Sequence, residues 1–159
     1  MSSEQMFFRK ADRKDIPMLT EARLAYLRTE FGEVSGEIAE ALPRYFESHL
    51  YRGLFAYLCT VGGRLAGTVF LLVTEKPPSP SFPSGRVGTV LNVITLPEYR
   101  RRGIARRLMK MLVGDAEKMQ LDHIELKATE AGYPLYRSLG FQDVLSEYRS
   151  MKLPFGREM

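Results

Sequence analysis

The sequence predicts a mixed α+β fold, a mostly antiparallel sheet of about seven strands flanked by about four helices. Two runs rich in apolar and β-favouring residues, 54–60 and 65–74, are joined by Gly62-Gly63, a two-residue hairpin signal. Between two further runs of this kind, 87–95 and 123–128, Ile104, Leu108, Met111, Leu112 and Met119 recur at helical spacing. That strand-helix-strand unit requires a parallel crossover. With 159 residues, 45% hydrophobic and 26% charged, the chain suits one globular domain over residues 1–159.

Taken in order, Met6 to Lys10 reads as a short first strand. Asp12 or Asp15 then caps a helix that tolerates Pro17 in its first turn, with Ile16, Leu19, Tyr26 and Leu27 marking one face. A second helical stretch runs from about Gly36 to His49 on Ile38, Leu42, Tyr45 and Phe46, with limits blurred by Gly32, Gly36 and Pro43. After the hairpin, the proline-rich segment 76–85 lacks the donors to continue a ladder and forms an edge loop. A short helix over 135–139 ends at Gly140, which suits the positive φ of a helix terminus. Strands at 141–144 and 148–153 complete the order.

No apolar run approaches the ~20 residues of a membrane span, and the polar start Met1-Ser2-Ser3-Glu4-Gln5 lacks signal-peptide features, so a cytoplasmic protein with no membrane partner is expected. Cys59, the single cysteine, lies in an apolar run and reads as a buried inert thiol. His49 and His123 have no partner spacing that suggests a metal site or a triad; no metal is expected. The net charge of +4 is concentrated. Arg100, Arg101, Arg102, Arg106, Arg107 and Lys110 face Glu98 alone within 98–110, and so carry all the excess. A focused cluster suits a compact polyanion such as a pyrophosphate better than a nucleic-acid duplex, which is met by cations spread over a face.

The cluster lies in Thr95-Leu96-Pro97-Glu98-Tyr99-Arg100-Arg101-Arg102-Gly103-Ile104-Ala105-Arg106, between a strand and an amphipathic helix. At a helix start, several N–H groups lack intrahelical partners and sit at the positive end of the macrodipole. Gly103 and Ala105 leave room for an anion to approach them. By itself this pattern fits any phosphate.

Arg100-Arg101-Arg102-Gly103-Ile104-Ala105 resembles the pyrophosphate motif Gln/Arg-x-x-Gly-x-Gly/Ala of the GNAT superfamily of acetyl-CoA-dependent N-acetyltransferases at every defined position. Further on, Leu135-Tyr136-Arg137-Ser138-Leu139-Gly140-Phe141 resembles the family's Leu-Tyr-x-x-x-Gly-Phe segment. The similarity covers nearly the whole chain, from Phe7 to Leu153. It implies the GNAT (acyl-CoA N-acyltransferase) fold, in which the strands before the phosphate loop and after its helix form a splayed parallel pair that holds the pantetheine arm.

The resemblance implies acetyl-CoA as cosubstrate and direct attack by a primary amine in a ternary complex. Val93 and Thr95 would offer backbone groups to the pantetheine, and donors near Val93 would polarise the thioester carbonyl. The amides from Arg101 to Arg106, Arg102, Gly103, Ile104 and Ala105 included, would face the pyrophosphate, with the arginine side chains, Arg100 at the defined position, adding attraction. Thr129 stands where several relatives contact pantetheine through Asn, and Tyr136 aligns with the tyrosine that protonates the departing thiolate.

A glutamate that many relatives carry on the fourth strand is missing from 89–95, where Asn92 could only orient a water. Glu30, Glu33 and Glu37 fall in the region that shapes the acceptor pocket of relatives. The acceptor stays open between small-molecule and peptide amines, and the resemblance allows a homodimer. Two competing readings are a non-catalytic acyl-CoA-binding sensor or partner domain, against which Tyr136 argues, and a basic nucleic-acid module, which lacks interleaved aromatics.

Overall fold

Along the computed structural model, which describes residues 5–156, the elements are β1 (Met6–Lys10), α1 (Ile16–Phe31), α2 (Gly36–His49), β2 (Leu54–Val61), β3 (Arg64–Glu75), β4 (Arg86–Thr95), α3 (Ile104–Lys118), β5 (Ile124–Glu125) and α4 (Tyr133–Ser138). They fall into two compact units, one ending at Lys127 and the other starting at Ala128. The whole sheet belongs to the first.

Local chemistry sets the first helix. Asp12 accepts from the Lys14 amide, Asp15 accepts in return from the Asp12 amide, and Pro17 occupies the first turn of α1. Ser35 caps α2 through the Ile38 amide, and Pro43 sits inside this helix without ending it. The hairpin at Gly62-Gly63 joins β2 to β3 as expected, both residues having positive φ.

The sheet order is β1-β2-β3-β4-β5, antiparallel except for β4 and β5, which run parallel. One face is covered by α1 and α2, whose Leu19 and Phe46 cluster with Leu50, Leu54, Leu58 and Phe70. Residues of opposite parity on β3 face α3, with Ile104 close against Gly67. The core is thus split between the two faces of one sheet.

The sheet has five strands in the described residues, not about seven. Segments 141–144 and 148–153 have no strand structure, and Val144, Leu145, Tyr148, Met151 and Leu153 are exposed. Their residue types favour a pleated, half-buried surface, but β preference is realised only against a neighbouring strand, and none pairs with them among the described residues. The run 123–128 forms a strand only at Ile124–Glu125, for the same reason: its pairing with β4 stops after Gly88↔Ile124 and Thr89↔Glu125.

Two ion pairs tie β1 to helices. Arg9 grips both carboxylate oxygens of Asp15 at 2.7 and 2.8 Å, and Lys10 meets Asp115 at 2.9 Å, where the buried Tyr57 hydroxyl also donates at 2.7 Å. The Arg9 hydrogen bonds hold the Asp15 carboxyl below the ordinary carboxylate value against the opposing effect of burial. A group depressed in the folded state contributes stability that is complete above its unfolded value of ~3.9 and is lost as pH falls through the lower folded value. Urea unfolding at pH 7 and pH 3 is therefore expected to show Asp15→Asn less stable than wild type at pH 7, with the gap narrowing at pH 3. An equal gap at both values would mean that Asp15 does not act through its charge.

Candidate active site

The ladder between β3 and β4 slips by one residue: Phe70 pairs with Leu91 and Thr68 with Ile94, so β4 bulges at Asn92 and Val93. Asn92 takes φ 55°, a left-handed conformation that Asn tolerates better than the β-branched residues around it. Its buried side chain fixes the bulge. The amide nitrogen donates to the Ala22 carbonyl at 3.3 Å and to Thr68 Oγ1 at 3.2 Å, while Arg23 Nη1 donates to Oδ1 at 3.2 Å. Both amide hydrogens are thereby used, and the side chain anchors α1 to the bulge.

On the other side of β4, pairing with β5 ends at Thr89. The second edge of the bulged segment, with Val93 and Thr95, has no strand beside it among the described residues. The amide-bearing arm of a ligand can pair with backbone groups along such an edge.

At the end of this edge the chain turns into α3. Arg101 and Gly103 have φ of 67° and 76°, and Gly103 is the N-cap residue, with no side chain capping the helix. The first bond of the helix runs from the Arg107 amide to the Gly103 carbonyl, so the amides of Ile104, Ala105 and Arg106 precede the intrahelical ladder. The first turn holds no acidic residue and carries Arg106 and Arg107 instead. Cations at the positive end of a helix dipole oppose it, and an anion bound there would reconcile the two.

The arginines divide into different roles. Arg100 Nε donates to the Thr95 carbonyl at 3.1 Å, so Arg100 braces the loop and Thr95 spends its carbonyl within the chain. Arg102 lies 5.5 Å from the Tyr99 ring centre and Arg107 3.8 Å from that of Phe8. Arg101 and Arg106 are exposed. Ile104 buries its side chain in the core, leaving only its backbone to face a ligand.

Within the second unit, the Thr129 hydroxyl accepts from the Gly132 amide at 3.2 Å and so caps the turn before α4. Tyr136 is 8% exposed and meets Phe141 edge to face, ring centres 6.0 Å apart. Gly132 allows this packing, because a Cβ there would lie 2.9 Å from the Tyr136 ring. Gly140 has φ 104°, as its place after the helix predicts.

His49 stacks on Tyr45 with ring centres 4.2 Å apart, and His123 meets Glu125 at 3.3 Å. Cys59 is fully buried, and burial pushes its thiol up. Among the described residues, no group of three His, Cys, Asp and Glu side chains could hold a metal ion, and no helix is long and apolar enough to cross a membrane.

The model of the acetyltransferase (GNAT) family matches residues 19–141, a span that includes the bulge, the phosphate loop and Tyr136. The chain belongs to this family. It is accordingly an acetyl-CoA-dependent N-acetyltransferase, with acetyl-CoA as cosubstrate. A predicted acetyltransferase from Clostridium acetobutylicum, solved with acetyl-CoA, is 32% identical with TM-score 0.83, covering 93% of this chain and 96% of that one. A GCN5-related N-acetyltransferase from Ralstonia eutropha is 27% identical with TM-score 0.74, covering 92% and 99%. A ribosomal-protein-alanine N-acetyltransferase from Brucella melitensis shares the fold at 19% identity and TM-score 0.70, covering 96% and 100%. A comparison with curated proteins by sequence gives no match.

Two features of this acetyltransferase escaped the sequence reading. The bulge had a usable signal, since Asn is disfavoured inside a run such as Val90-Leu91-Asn92-Val93-Ile94 and is at home at positive φ. Arg23 had none, because its partner Asn92 is 69 positions away.

Proposed function

We propose that this acetyltransferase seats the pyrophosphate of acetyl-CoA on the amides from Arg101 to Arg106, lays the pantetheine along the open edge of β4, and passes the acetyl group to a primary amine by direct attack in a ternary complex. The observation that carries this reading is the uncapped start of α3 at left-handed Gly103, with cations in its first turn, at the end of the open bulged edge. The Val93 backbone at the bulge is the donor assigned to the thioester oxygen as it gains charge. Tyr136 supplies a proton to the departing thiolate, and no covalent enzyme intermediate forms. Of the arginines, Arg101 and Arg106 are assigned to the phosphates and Arg100 to bracing the loop beneath them. Thr129 contributes to the pantetheine site through the turn it caps.

The two units act as one domain in this reading, since the family match runs across their boundary. A buried thiol without a second cysteine suits the reducing cytoplasm. The acceptor is a small-molecule or peptide amine. Calorimetry is expected to give micromolar binding of acetyl-CoA, with much weaker binding of pantetheine alone. Saturating acetyl-CoA should raise Tm, by about 2.7 kcal/mol of added stability at a hundred times Kd. Failure of acetyl-CoA to bind the folded protein would overturn the assignment of the site.

A further inference from the structure

The cations of β1 are each matched by a carboxylate, Arg9 by Asp15 and Lys10 by Asp115. Arg23 differs. It is partly buried on α1, and among the described residues its one hydrogen bond goes to the neutral amide of Asn92 at 3.2 Å, with no carboxylate paired to it. The Tyr26 ring lies 5.8 Å from the guanidinium, and the phenol of Tyr45 on α2 interacts with it electrostatically. A guanidinium offers five donors, and a cation drawn partly out of water is costly unless an anion meets it.

The place of this cation decides what it can meet. Asn92 is the bulge residue itself, and Val93 beside it is assigned to the thioester oxygen, so Arg23 stands one side chain from the reacting carbonyl. It lies on the face covered by α1 and α2, opposite α3. The acceptor-region carboxylates Glu30, Glu33 and Glu37 are all exposed. The partly withdrawn charge there is positive.

We infer that the acceptor carries an oxyanion, carboxylate or phosphate, beside its amine, and that Arg23 with the phenols of Tyr26 and Tyr45 receives it. This rests on the transferase reading above. The guanidinium makes charge-assisted bonds to the oxyanion with the donors that Asn92 does not use. Each phenol adds an O–H donor to those of the guanidinium. Burial raises the Tyr45 hydroxyl above its ordinary value, against the pull of Arg23, so it remains a donor at neutral pH. Holding the oxyanion fixes the amine relative to the thioester, which is orientation rather than chemistry. Arg23 is a specificity and positioning residue.

The test uses matched amines with acetyl-CoA and thiol release as readout. One arm compares α-amino acids with their amides, the other aminoalkyl phosphates with the parent amino alcohols. Wild type is expected to favour the anionic member of one arm by about tenfold or more in kcat/KM, and the arm that responds identifies the oxyanion. In Arg23→Gln the ratio of anionic to neutral member should collapse toward one, mainly through KM, while Arg23→Lys should keep part of it. Acetyl-CoA affinity and Tm, measured on the same variants, report any general damage to the bulge. Amines turned over without regard to charge, or a preference that survives Arg23→Gln, would overturn the inference and leave the transferase reading standing. Acetyl-CoA binding with no panel amine acetylated would overturn the transferase reading and this inference with it.

Discussion

Tyr136→Phe is expected to lower kcat by ~10²–10⁴-fold with little change in acetyl-CoA affinity, the usual worth of a positioned general acid. The substitution is well suited to the question. Tyr136 is held by its ring, edge to face with Phe141 and close over Gly132, and Phe keeps that ring in place. The hydroxyl alone is removed. A loss confined to kcat means the group acts in the transition state, where the leaving thiolate gains charge, and not in binding. The measurement is a steady-state rate for wild type and variant at saturating acetyl-CoA with an accepted amine. Rates within about threefold of each other, with chemistry limiting, would exclude general-acid catalysis by this residue. Tyr136 would then be a packed helix tyrosine, and the protein's retained feature would be the cofactor cleft.

The second large effect belongs to Gly103. By the motif alone a Val there should block phosphate approach at little cost in stability. The structure revises the second half of that expectation. With φ 76° the position is left-handed, and a β-branched residue is strained there by about 1–2 kcal/mol whatever space it has. The space itself is open: among the described residues, no atom outside the immediate neighbours lies within 4 Å of a Cβ built at Gly103. Any steric effect of a side chain therefore falls on a ligand, not on the fold. Gly103→Asn separates the two effects, because Asn accepts a left-handed backbone. Gly103→Val is expected to lose both Tm and acetyl-CoA binding. Gly103→Asn should lose binding by about tenfold or more while keeping most of its stability. Calorimetry and thermal melts on the pair decide it, and unchanged affinity in both variants would place the phosphates elsewhere.

Much of this acetyltransferase was legible before any coordinates. The limits of β1, the presence of α2, the Gly62-Gly63 hairpin, the parallel crossover of β4 and β5 and the turn at Gly140 all follow from spacings of a few residues. Such patterns are local, because side chains two, three or four positions apart share a face and a turn needs particular residues at particular places. The phosphate loop was legible for the same reason: Gly103 and the following amides are one continuous stretch of chain.

Contacts between distant segments were decided only by the tertiary structure. Whether 141–144 and 148–153 become strands depends on a neighbour to pair with, which their own composition does not specify. Which arginine braces and which faces solvent depends on whether Thr95, Tyr99 or Phe8 lies within reach. Asn92 reads in sequence as a polar residue in a strand. In the fold it joins Ala22, Arg23 and Thr68 from 24 to 70 positions away, so its hydrogen bonds are spent and a cation is set beside the bulge. Periodicity encodes which face a residue takes, but the partner across that face is chosen by how the elements come together.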